Sequence, residues 1–310
     1  YFFFFFSLVD YESGLGVFFS EKINNLKGKR VGLIVNHTSL SSSGRHLVEL
    51  MHSNDIDVSA IFTPEHGFKG IVEAGVMVDE GIDPLSKTPI YSLYGKTRKP
   101  TKEMMQDVDI LVFDIQDIGA RYYTYLSTLT LAMGSAAEAN ISFMVLDRMN
   151  PLGRKVKGPI LDMEFSSFVG MHPIPVQHGM TVGELAFMIN EEGWLSDGLK
   201  VELEVVKYVG EIEKQDREQA FNVPPSPNMP NLNTAMNYVG LCLLEGTNVS
   251  EGRGTLFPFK VIGAPWIDNE RLLDAMLPYM SNEDMVDTIT FIPKDIPGKT
   301  MNPKYEDEIC

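Results

Sequence analysis

Acid, amide, imidazole and guanidinium side chains recur in this chain where its apolar runs end. Asn36-His37-Thr38 follows the run 31–35, Thr63-Pro64-Glu65-His66-Gly67 follows 58–62, Asp114-Ile115-Gln116-Asp117 closes the run that starts at 110, and Asp147-Arg148-Met149-Asn150 follows 143–146. Open α/β sheets bind ligands beyond the carboxyl ends of their strands, so these ends offer one rim to a substrate. A single polar strand end is usually a turn or a cap; several on one rim point to a site.

Glu65 is the leading acid. A carboxyl partly desolvated just past a buried strand has its pKa raised and can donate a proton near neutral pH. Asp114 and Asp117 flank Gln116, and strand alternation turns one toward a cleft while the other caps or pairs. Arg121 and Tyr123 follow, a guanidinium for an anion beside an aromatic face of the kind that carbohydrate rings stack on. Further along, residues 244–255 set Glu245, Glu251 and Arg253 among three glycines, a density that implies tight turns or close approach to a ligand.

To share a rim, these groups need parallel strands joined by helices. β-Branched apolar runs at 31–35, 58–62, 90–93, 110–115 and 143–146 predict such a sheet, covered on both faces. Leu47, Val48, Leu50 and Met51 give 44–53 a helical spacing, and 124–140 is an Ala- and Leu-rich helix ended by Asn140. A third helix starts at Thr181, where Glu184 completes a capping box, and a strand follows at 201–206. The Pro- and Gly-rich stretch 150–179 is too long for a routine connection and is expected to lie over a functional edge. Four prolines stiffen 223–230 into a rigid wall.

At 310 residues and 34.7 kDa the chain suits one large α/β domain and a smaller partner. Its 26 Lys and Arg against 42 Asp and Glu give a net charge of −16 with no basic block, which argues against a nucleic-acid partner. No dinucleotide or P-loop fingerprint stands at the first strand-to-helix turn, and no nucleophile elbow is present. His37, His66 and His178 could gather on a metal with Asp114 or Asp117, but their separations match no short zinc motif, so neither metal nor cofactor is expected. Two cysteines are too few for a disulfide framework. No uncharged apolar run reaches the roughly 18 residues of a spanning helix, so no transmembrane segment is expected. The opening five-Phe run reads as the end of a signal-peptide apolar region, as a vector-derived or wrongly assigned start, or as a buried strand, and the expected location is extracytoplasmic, secreted or periplasmic.

Together the blocks at 36–38, 63–70, 91–95, 114–125, 146–151, 178–185, 224–230 and 245–255 resemble, in order, those of the family first labelled domain of unknown function 1343. That family is associated with NamZ-type exo-β-N-acetylmuramidases, glycoside hydrolase family 171. The resemblance implies a Rossmann-like catalytic domain, taken as 10–260, and the start of a smaller C-terminal α/β domain at 261–310, with the active cleft at their junction. It implies release of N-acetylmuramic acid from non-reducing ends of peptidoglycan fragments, and it places the family's proposed catalytic acid on Glu65. Family members usually continue beyond the position of Cys310, which implies that part of the small domain is missing. Met149 stands where the family usually has Pro.

A glycosidase needs a proton donor and a second group that attacks, activates water or orients the substrate. Glu65 is expected to donate, with Asp114, Asp117 or Glu251 as the second group; attack by the substrate's own N-acetyl oxygen is a further route. Arg121 or Arg253 is expected on the lactyl carboxylate, and Asn36, Gln116 and Asn228 on sugar polar groups. His37, His66, Tyr123, Arg148, His178 and Glu245 complete the expected binding set. A non-catalytic cell-wall glycan-binding protein fits the same residues, and the sequence leaves oligomeric state open.

Overall fold

The structure is a computed structural model that describes residues 11–72, 76, 80–280 and 286–310. The five-Phe run lies outside them. Two compact units divide the chain between Pro225 and Ser226, earlier than the boundary expected at 260. The break falls inside the Pro-rich run, where fixed φ angles and missing N–H donors stop regular structure from crossing it.

The first unit opens with the short helix α1 (Gly14–Val17) and continues through β1 (Arg30–Val35), α2 (Leu47–Ser53), β2 (Asp57–Thr63), β3 (Gly81–Ile82), β4 (Pro89–Ser92), β5 (Ile110–Asp114), α3 (Thr124–Ala139), β6 (Ser142–Leu146), β7 (Lys157–Ile160), β8 (Pro175–Gln177), α4 (Val182–Glu191), β9 (Leu203–Val206) and α5 (Lys214–Gln219). Seven strands form one sheet in the order β3-β4-β2-β1-β5-β6-β9, parallel except for β3, while β7 and β8 pair separately and antiparallel. This is the expected α/β, Rossmann-like parallel sheet.

Burial on both faces explains the unbroken apolar runs. Val31, Leu33 and Val35 join Leu15, Phe18, Leu47 and Met51 in one core cluster. Ile34 and Phe113, at alternating positions, are also fully buried. Thr181 and Glu184 form the expected capping box at the start of α4.

Strand order reverses beside β1, which lies between β2 and β5. The crevice between the carboxyl ends of β1 and β5 is therefore the switch point of the sheet, where Asn36 and Gln116 stand.

The second unit holds α6 (Leu232–Leu241) and α7 (Asn269–Met276). Among its described residues extended segments meet in isolated bridges, Ser250 with Gly263 and Ile296 with Thr300, and Phe291 and Cys310 exchange backbone hydrogen bonds of 2.9 Å. Tyr238 meets the buried Phe259 edge to face, ring centroids 4.8 Å apart. No described helix is long and apolar enough to cross a membrane.

Candidate active site

Strand register brings Glu65 to its neighbours. Thr63 pairs with Ser92 in the parallel β2–β4 ladder, and the Leu93 amide continues it by donating to the Thr63 carbonyl at 2.8 Å. Glu65 and Tyr94 each lie two residues beyond that pair, and the Tyr94 hydroxyl bonds to the Glu65 carboxyl. Burial, then the Glu65 charge, pushes the Tyr94 hydroxyl up to about 12, so it stays a neutral donor. From the first turn of α3 the Thr124 hydroxyl donates to Glu65 Oε2 at 2.7 Å. Glu65 is 7 % exposed, whereas Tyr94 is half-buried and opens the site outward. The 150–179 segment adds the Phe168 ring, its centroid 6.0 Å from that of Tyr94.

At the switch point the polar groups mostly hold the backbone. Asn36 Oδ1 accepts from the Thr38 amide at 2.9 Å and from its hydroxyl at 2.6 Å, and Thr38 Oγ1 accepts from the Gln116 amide at 3.0 Å. Gln116 spends its own side-chain amide on the carbonyls of Asp117 and Met149. Tyr125, paired with Tyr123 at 4.9 Å between centroids, is fully buried, feels the Glu65 charge and donates to the Pro225 carbonyl at 2.6 Å.

The three carboxyls left open as a second group differ sharply. Asp114 is fully buried, with Arg148 Nε 2.6 Å from one oxygen and Arg148 Nη2 2.9 Å from the other. Glu251, in the second unit, holds Lys304 Nζ at 3.0 Å and lies 3.7 Å from Arg253 Nε. Asp117 has no cation. Its Oδ2 accepts from the Gly119 amide at 2.7 Å and its buried Oδ1 has no hydrogen-bond partner. Burial pushes its carboxyl up to about 7. Gly119 makes this turn at φ +91°, where an added Cβ would fall on the Asn150 amide.

His178 Nε2 lies 4.0 Å from Asp117 Oδ2. Burial holds the ring down to about 4, and the Met180 amide donates to Nδ1, so the neutral ring carries its proton on Nε2, facing Asp117. The other two histidines donate elsewhere, His37 Nε2 to the Pro224 carbonyl at 2.7 Å and His66 Nδ1 to that of Val72 at 2.6 Å.

The expected arginines are held by protein groups, although Arg121 Nε is buried without a hydrogen-bond partner. Arg148 is committed to Asp114 and the Leu40 carbonyl, and Arg121 Nη1 donates to the carbonyls of Pro159 and Ile174. Arg253 Nε reaches Glu245 at 2.6 Å with its guanidinium over the Phe259 ring. Asn228 uses its side chain on Lys299 and Thr300. Glu245, Glu251 and Arg253 thus form one ion network with Lys304, which sequence reading did not find. Tyr94, Thr124 and Phe168 were also missed as site residues; the 91–95 block was the available signal for Tyr94.

A family model described as exo-beta-N-acetylmuramidase NamZ, N-terminal, matches residues 31–233, and its C-terminal counterpart matches 236–310. The chain is 46% identical over 267 residues to the peptidoglycan beta-N-acetylmuramidase NamZ of Bacillus subtilis (strain 168), covering 86% of this chain and 64% of the relative. It therefore spans less than two thirds of that protein. Crystal structures of two DUF1343 family proteins from Bacteroides fragilis superpose with TM-scores of 0.79 and 0.85 at 37% and 36% identity. They cover 97% and 96% of this chain and 75% of each of those chains. The sheet, the Glu65 strand end and these matches assign the chain to the exo-β-N-acetylmuramidase NamZ family.

Proposed function

We propose that this chain is an exo-acting glycoside hydrolase that releases N-acetylmuramic acid from the non-reducing ends of peptidoglycan fragments. The observation that carries the reading is Glu65, a largely buried carboxyl oriented by Thr124 and Tyr94 beneath an aromatic rim, in a chain close to a curated muramidase. Glu65 protonates the departing glycosidic oxygen as the bond to the anomeric carbon breaks. Its two hydroxyl neighbours fix the carboxyl rotamer, so the proton is aimed before the sugar arrives.

Of the three carboxyls considered for the second role, Asp117 is the one we assign. Asp114 and Glu251 have their charge neutralised by bonded cations, whereas Asp117 keeps a free oxygen and a proton affinity near neutrality. Since its substrate is cell-wall material, we further propose an extracytoplasmic place of action.

Incubation with a disaccharide of N-acetylmuramic acid β-linked to N-acetylglucosamine, followed by mass identification of the products, tests the reading. Free N-acetylmuramic acid supports it. Retention of the intact disaccharide would instead mark a glycan-binding protein.

A further inference from the structure

We propose that Arg98 is the specificity-determining residue of this site, recognising the free carboxylate of the substrate's lactyl substituent. The inference rests on the muramidase reading and adds to it the group that tells N-acetylmuramic acid from N-acetylglucosamine.

Arg98 follows the carboxyl end of β4, four residues after Tyr94. Thr97 Oγ1 donates to the Lys99 carbonyl at 2.8 Å and accepts from the Lys99 amide at 3.2 Å, and Lys99 Nζ clamps both oxygens of Glu138 at 2.9 and 3.0 Å. The turn is thereby fixed on either side of Arg98. Its guanidinium carbon lies 4.2 Å from the Phe168 ring centroid and 5.8 Å from that of Tyr94, the ring whose hydroxyl holds Glu65. The side chain is exposed, and among the described residues no carboxylate lies within ion-pair distance of it.

A guanidinium stacked on an aromatic face keeps its N–H edge outward, in the fork that matches a carboxylate, and the stacking removes rotamer freedom before the ligand arrives. The two arginines expected on the anion are held by protein groups, Arg253 through Nε by Glu245 and Arg121 through Nη1 by the Pro159 and Ile174 carbonyls, and the remaining Nε of Arg121 is buried. On a chain with a net charge of −16, an anionic sugar needs such a local cation. N-acetylmuramic acid differs from N-acetylglucosamine only by its lactyl ether, and a carboxylate is the feature of that ether that an arginine fork reads.

Calorimetric titration of the wild type and Arg98→Met with N-acetylmuramic acid, its lactyl methyl ester and N-acetylglucosamine tests this without requiring turnover. The wild type should bind the acid about 10- to 100-fold more tightly than the ester or N-acetylglucosamine, as expected for charge-assisted hydrogen bonds. Arg98→Met should lose that margin while ester binding stays within about twofold, and Arg98→Lys should recover part of it. Equal acid binding by the wild type and Arg98→Met, parallel loss for acid and ester, or no preference in the wild type overturns the assignment. Turnover of a chromogenic β-N-acetylmuramide, measured alongside, separates the two claims. Turnover without acid preference removes Arg98 alone; acid preference without turnover removes the hydrolase reading and leaves Arg98 as the anion reader.

Discussion

Thr124 donates to Glu65 across 59 positions of sequence, tying the first turn of α3 to the carboxyl end of β2 at 2.7 Å. The bond makes the carboxyl rotamer a property of the fold instead of a chance of solvent. Thr124→Val keeps the shape and removes the donor. It should lower kcat/KM on a chromogenic β-N-acetylmuramide about tenfold, the scale of one hydrogen bond to a carboxyl. A value within twofold of wild type would show that Glu65 does not depend on this partner.

Arg148 and Asp114 are expected to govern stability. Removing one partner of a buried, bidentate pair leaves an uncompensated charge, so Arg148→Met should cost about 3–5 kcal/mol in urea unfolding. The double variant Arg148→Met/Asp114→Leu should regain a large part of that loss, because both charges then go together. Unfolding midpoints of the single variant that match the wild type would contradict the pairing.

Asp117 carries a pH signature. Its carboxyl, ordinarily at 3.8, titrates at about 7 when folded, so between these values the folded chain holds a proton that the unfolded chain has released. Stability from this group is complete below about 4 and declines as pH rises toward 7. His178, held down to about 4, acts in the opposite sense below its ordinary 6.5, so the comparison must be with Asp117→Asn. Relative to that variant, wild-type unfolding free energy should fall by up to about 1.4 kcal/mol per pH unit across the window. Parallel pH profiles would contradict the buried, raised carboxyl.

Much of this fold was legible in the amino-acid order because burial on both faces writes each central strand as an apolar run. The runs at 31–35, 58–62 and 110–115 reappear as Arg30–Val35, Asp57–Thr63 and Ile110–Asp114. The strand β7 was not legible, since its residues are all exposed and show no apolar alternation. Glu65 could be singled out because local sequence puts it past a buried strand. What surrounds it could not: Tyr94 reaches it through a register between strands, Thr124 through the placement of a helix, and Phe168 through a long loop. The same blindness made Asp114 and Arg148 look like separate site residues, 34 positions apart, when they neutralise each other. Lys304, 53 positions from Glu251, is a parallel case.

The most direct test of the account is Glu65→Gln, which keeps size and hydrogen bonding and removes the acidic proton. Turnover of a chromogenic β-N-acetylmuramide should fall at least about 10²-fold, the usual share of a general acid, while calorimetric affinity for N-acetylmuramic acid stays within a few-fold of wild type. Turnover at the wild-type rate by a folded, sugar-binding Glu65→Gln protein would contradict the assignment of Glu65 as the proton donor.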